Sequence, residues 1–214
     1  MSRRFNIPKD PYDTDDIVFA KSRIDIKTGL TVLVGCNGSG KSTLMRHIGY
    51  RLKKLDIPFF EYDNLHQGGH SAKDWALNVS GDMNLLVGLV TSSEGEQIYI
   101  NFGEMCRKLG GFIRQNAGAK EIWVMLDAID SGLSIDYIVE LKKFLTDLVI
   151  GGNSDKDIYI LMSANAYELC RDSQCFDVRN GVYTSFKDYE EYRDFVLRSR
   201  EWKDKRYEKG ETND

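Results

Sequence analysis

The sequence predicts an α/β protein with a mostly parallel central sheet and flanking helices, and three observations lead there. Short, intensely apolar runs, LTVLV at 30–34, EIWVMLD at 121–127 and DIYILMS at 157–163, have the length and composition of buried strands. Between them, apolar residues recur every three or four positions, the period of an amphipathic helix. A glycine-rich segment, GCNGSGKST at 35–43, joins the first run to the first helix. With 214 residues, the expectation is one domain over 1–214.

Each element follows in order. Residues 15–28 (DDIVFAKSRIDIKT) alternate and predict short strands, an antiparallel N-terminal portion ahead of the 30–34 strand. Leu44, Met45, Ile48 and Leu52 share one face of the helix after the glycine segment, and DIPFFEY supplies another strand. Residues 63–80 are polar and lead into a small helical lobe placed at about 64–115. Its clearest helix is EQIYINFGEMCRKLGGFIRQ, with Ile98, Phe102, Met105, Leu109 and Phe112 in one stripe. After the 121–127 strand, residues 134–149 form a helix with Ile138, Leu141, Phe144, Leu145 and Leu148 inward. FDVRNGVYTSF predicts a hairpin turning at Asn180-Gly181. A charged terminal helix at about 187–208 keeps Tyr189, Tyr192, Phe195 and Val196 on one face, with fraying expected beyond Trp202.

The bulk composition excludes some classes. At 42% hydrophobic, 29% charged and net charge -4, the chain has no global basic field to attract nucleic acid. Cys36, Cys106, Cys170 and Cys175 contain no tight CxxC pair, which fits a reducing, cytoplasmic location. No apolar run approaches membrane-spanning length. His66 and His70 form no strong metal pattern with a nearby cysteine, and His47 lies on the first helix.

The chemistry concentrates in the glycine segment. Gly35, Gly38 and Gly40 permit backbone geometries that turn successive amides toward a phosphate, with Asn37 and Ser39 between them. Lys41 is spaced to reach β and γ phosphates, Ser42 to hold Mg²⁺, and Thr43 to touch the α phosphate or simply to cap and pack. A helix N-terminus behind the loop favours the same anion. Asp127, ending an apolar strand, is the expected second magnesium ligand.

Together these segments resemble the ATP-binding-cassette superfamily, in particular its soluble branch with the structural-maintenance-of-chromosomes proteins and RecF. GCNGSGKST matches the family's Walker A form, and LDAIDSGLS at 126–134 resembles its Walker B and D-loop pattern. SSEGEQ at 92–97 resembles a degenerate signature, keeping the serine as Ser93 and a glycine as Gly95. The resemblance implies an ATPase head using ATP and Mg²⁺. Two copies would close head to tail, Ser93 of one meeting the nucleotide held by Lys41 of the other. It also implies a Q-loop glutamine, for which Gln67 is the candidate magnesium contact, and an aromatic ring on adenine, for which Tyr12 and Phe19 are candidates. Arg3, Arg4 and Arg23 are possible phosphate neutralisers. Ser93 with Glu96 also reads as an ordinary capping box.

Two positions depart from the pattern. The family carries a glutamate after the Walker B aspartate to polarise water, and here stands Ala128. Either the protein is a natural pseudo-ATPase, or a Glu-to-Ala change has been introduced to trap ATP. Asp130 is near, and its spacing predicts that it points elsewhere. The switch histidine is replaced by Ala164 or Asn165, depending on register, and an asparagine can hydrogen-bond but cannot take the proton. The expected function is a nucleotide-sandwich homodimer acting as a conformational switch with impaired hydrolysis. Its partner would be an effector protein or DNA rather than a membrane, in DNA maintenance or phage–host conflict. The alternative is a nucleotide-responsive protein-binding module. A small-molecule kinase is disfavoured by SGLS after Walker B and by the isolation of Arg107 and Arg114.

Overall fold

A computed structural model describes residues 1–12, 17–64 and 94–211. The chain runs β1 (Ser2–Asn6), β2 (Arg23–Lys27), β3 (Gly29–Val34), α1 (Lys41–Lys54), β4 (Phe59–Asp63), α2 (Glu94–Gln115), β5 (Glu121–Asp127), α3 (Ile135–Lys143), β6 (Asp157–Ser163), α4 (Tyr167–Cys170), β7 (Gln174–Asp177), β8 (Val182–Thr184) and α5 (Tyr189–Glu211). Among the described residues, one six-stranded sheet has the order β4-β5-β6-β3-β7-β8, parallel except for the antiparallel edge strand β8. A separate antiparallel ribbon pairs β1 with β2.

The alternation of side chains along β5 shows why the sheet is covered on both faces. Ile122, Val124 and Leu126 enter a core with Met105 and Leu109 of α2 and Ile138 and Leu141 of α3. Trp123 and Met125 point the other way, into a core with Leu44, Ile48 and Leu52 of α1 and Phe5, Ile24 and Ile26 of the ribbon. Trp123 stacks on Tyr159 at 4.2 Å between ring centres and meets Phe5 edge-on at 5.3 Å. A strand buried on both sides needs no polar alternation, which explains the unbroken apolar run.

Parallel strands place their C-terminal ends, and the loops that follow, along one edge of the sheet. Here Leu33 pairs with Ser163, Leu126 with Met162, and Asp63 with Asp127, so the ends of β3, β4, β5 and β6 are level. Strand β6 lies between β3 and β5, which sets the chain leaving β6 between the glycine loop and Asp127.

Four details differ from expectation. Among the described residues of that stretch, 17–28, only Arg23–Lys27 is a strand, and its partner is the unforeseen strand Ser2–Asn6. Val18 and Phe19 are buried without pairing in a ladder, because both their amides donate to Lys9 O, at 3.0 and 3.1 Å. The hairpin closes through four residues, 178–181, since Asp177 pairs with Val182. Asp177 accepts from the Asn180 amide at 3.2 Å, and Gly181 takes φ +61°, so the turn is organised by the last residue of β7. Past Lys143 the helical path widens to π geometry over Phe144–Ile150, and Leu148, expected inward, is 65% exposed. The fourth difference concerns the tail: α5 stays helical to Glu211 instead of fraying after Trp202. Trp202 is held by Arg179, whose guanidinium carbon lies 3.7 Å from the ring centre. Among the described residues no helix is long and apolar enough to cross a membrane.

Candidate functional site

The glycine loop is fixed largely by its own backbone. Gly38 and Gly40 adopt φ +78° and +96°, a region that costs a side chain about 1–2 kcal/mol. Gly40 is also where the loop meets the protein: a Cβ there would lie 2.8 Å from Val18 Cγ1 and 3.0 Å from Phe19 Cε1. Phe19, 1% exposed, is therefore a core ring beneath the loop and not a stacking surface for adenine. Helix α1 starts at Lys41 with no acidic residue in its first turn, leaving the positive end of its dipole for an anion.

Lys41 lies beneath the loop, 9% exposed, with Nζ donating to Gly35 O at 2.7 Å, Cys36 O at 3.2 Å and Asn165 Oδ1 at 3.3 Å. Burial pulls its pKa below the usual lysine value, and the charges of Asp130 and Asp127 oppose that shift. Ser39 Oγ is buried without a hydrogen-bond partner among the described residues, a polar group in a cradle suited to an anion.

The other half of the site is assembled across the sheet. Ser163 Oγ donates to Asp127 Oδ1 and accepts from the Ala128 amide at 2.9 Å, tying the end of β6 to that of β5. Ala128 takes φ +49°, unusual for a residue with a side chain. Its carbonyl receives Asn64 Nδ2 at 3.2 Å and the Ser131 amide at 3.0 Å, which hold the bend. Asp130 contradicts the expectation that it points away: it lines the cleft, and its Oδ2 accepts the amides of both Asn165 and Ala166 at 2.7 Å. Tyr192 OH donates to Asn165 O at 2.7 Å from α5. Asn165 is thereby aimed at Lys41, and Ala164 is the residue that turns into the core, 1% exposed. On β4, burial raises the pKa of Glu61, with the charges of Asp127 and Asp63 adding to the shift.

These parts surround a cleft of about 490 Å³. Asn37, Gly38, Gly40, Lys41, Ser42 and Thr43 form one side and Asp127, Ala128, Asp130 and Asn165 the other, with Tyr12 at the rim. Tyr12 OH lies 2.6 Å from Thr43 Oγ1. Gly35 follows the end of β3, where a Cβ would press within 2.5 Å of Ser39 Oγ. Not every expected residue joins them. Arg3 pairs with Glu121 at the opposite end of β5, Arg4 pairs with Asp25 on the ribbon, and Arg23 lines a separate cleft with His47. Gln67, Ser93, His66 and His70 lie outside the described residues, and Gly95 falls in the first turn of α2.

Sequence reasoning missed the contribution of α5. Ser199 Oγ accepts the Cys36 amide at 3.1 Å, Lys203 Nζ donates to Asn37 O at 3.3 Å, and Arg206 and Tyr207 line the cleft. The signal was present as polar residues at 192, 199, 203 and 206, spacings that share one helical face. No protein-family model matches this chain, and no curated protein does.

Proposed function

We propose that this chain is a nucleoside-triphosphate-binding switch of the ATP-binding-cassette type, taking ATP with Mg²⁺ and turning it over slowly. The observation that carries the reading is the convergence of Lys41, Ser42, Asp127 and Asn165 on one cleft from three separate strand ends. The residues present fit the ligand. The loop's left-handed glycines and the free end of α1 suit the phosphates, and Lys41 would exchange its carbonyl partners for phosphate oxygens. Ser42 and Asp127 would hold Mg²⁺, which commonly binds through one or two protein oxygens completed by phosphate and water. Bound magnesium would offset phosphate charge. The resemblance supplies the further expectation that two copies close over shared ATP, Ser93 of each facing the other's nucleotide.

Slow turnover rests on what surrounds Ala128. A methyl group cannot orient water, and Asp130, the carboxylate beside it, already accepts two backbone amides through one oxygen. That engagement also favours the second reading, a nucleotide-responsive module that recruits a protein or DNA partner in place of catalysis.

The test measures Mg-ATP affinity, oligomeric state and phosphate release for this chain, Lys41→Ala and Ala128→Glu. ATP binding lost in Lys41→Ala, ATP-dependent dimers, and faster turnover in Ala128→Glu are the expected results. Dimers without turnover in either chain would select the module. An affinity for ATP unchanged in Lys41→Ala would remove the reading altogether.

A further inference from the structure

Helix α5 follows the outer rim of the glycine loop, meeting successive residues with successive turns. Tyr192 holds the Asn165 carbonyl, Ser199 takes the Cys36 amide, and Lys203 donates to Asn37 O. A Cβ at Gly38 would lie 3.4 Å from Lys203 Cδ, so the helix and loop are in near contact. One turn on, Arg206 and Tyr207 reach into the cleft that contains Lys41, Ser42 and Asp127. Aromatic rings flank the arginine: its guanidinium carbon is 5.2 Å from the Trp202 ring centre and 5.0 Å from that of Tyr207. Trp202 is in turn held by Arg179, within the β7–β8 turn, so this end of α5 is anchored to the sheet.

Among the described residues two cations line the cleft, Lys41 and Arg206, and they occupy different levels. Lys41 lies under the loop, where it would meet phosphates from the strand side. Arg206 comes from outside the loop on a separate helix. A guanidinium presents a planar fork of donors that suits phosphate oxygens in pairs, and it is always charged. We propose that α5 is the second wall of the nucleotide site and that Arg206 binds the phosphate chain in cis, opposite Lys41. The inference rests on the nucleotide-binding reading and adds to it a binding residue from the same chain.

Trp202 gives a local reporter, since its ring adjoins Arg206, and Trp202→Phe identifies its share of the fluorescence. ATP and inorganic tripolyphosphate, each with Mg²⁺, are titrated against the full chain, Arg206→Gln, Arg206→Lys and Lys41→Ala at several salt concentrations. Arg206→Gln is expected to weaken both ligands about 10- to 100-fold, the range for losing a charged hydrogen-bond donor. It should also flatten the salt dependence, as one ion contact disappears, with partial recovery in Arg206→Lys. A merely structural arginine would leave the salt dependence unchanged. Three results overturn the proposal alone: normal ATP affinity in Arg206→Gln, an unaltered salt dependence, or loss of ATP binding with tripolyphosphate binding kept, which would assign Arg206 to the nucleoside. Failure of the full chain to bind ATP would overturn the nucleotide reading and this inference with it.

Discussion

The two sides of the cleft are built in opposite ways. The glycine loop is nine consecutive residues, 35–43, whose shape comes from left-handed glycines, a helix start and one buried lysine. The facing side is a mosaic in which Asp127, Ser163 and Tyr192 come from β5, β6 and α5, and Asn64, Asp130 and Asn165 from the segments that follow β4, β5 and β6. A local device is robust to changes elsewhere and fragile to changes in its own backbone. A mosaic should degrade in smaller steps, because each member removes only one or two hydrogen bonds.

Substitutions can break that contrast in order of effect. Lys41→Ala should lower Mg-ATP affinity about 100-fold or more, since two charge-assisted contacts at roughly 1.5–3 kcal/mol each are lost. Calorimetric titration checks it. The fold should survive, because burial makes the lysine's charged form unfavourable. With its folded pKa below 10.5, the unfolded chain binds the extra proton, and stability should rise with pH through the window just under that value. Denaturation of the two proteins across that window should show the rise flattened in Lys41→Ala, and a larger rise in the variant would contradict the assignment.

Gly40→Ala should destabilise the protein by about 2–4 kcal/mol, combining a forbidden backbone angle with overpacking against Val18 and Phe19. A thermal melt reads this directly, and an unchanged midpoint would mean that the loop does not rest on that segment. On the mosaic side, Asp130→Ala leaves two amides without their acceptor and should cost about 1–3 kcal/mol, with a smaller fall in ATP affinity as Asn165 loosens. A cost exceeding that of Gly40→Ala would reverse the comparison. The smallest effect belongs to Ala128→Gly, which should stabilise by up to about 1 kcal/mol by relieving φ +49°. Urea unfolding would show whether the bend is strained.

The legible parts were those whose cause is local. LTVLV, EIWVMLD and DIYILMS are strands because buried parallel strands need apolar residues on both faces, and all three were recognisable. The loop spacing from Gly35 to Ser42 and the stripe on α1 were equally visible. Strand β1 was hidden because SRRFN buries little on its own and becomes a strand by pairing with β2. The tail of α5 read as frayed because its charge conceals a weak apolar stripe, whereas its order comes from Arg179, 23 positions before Trp202 and held near it by the fold.

The amino-acid sequence by itself determined the α/β alternation, the glycine cradle and the presence of an alanine at position 128. Those depend on residue type at short spacing, where backbone freedom and hydrophobic period act directly. Only the tertiary structure decided that β6 lies between β3 and β5, that Asp130 serves Asn165, and that α5 closes the rim with Lys203 and Arg206. Such placements depend on strand order and on hydrogen bonds between residues far apart along the chain, and spacing along one strand of sequence carries no record of either.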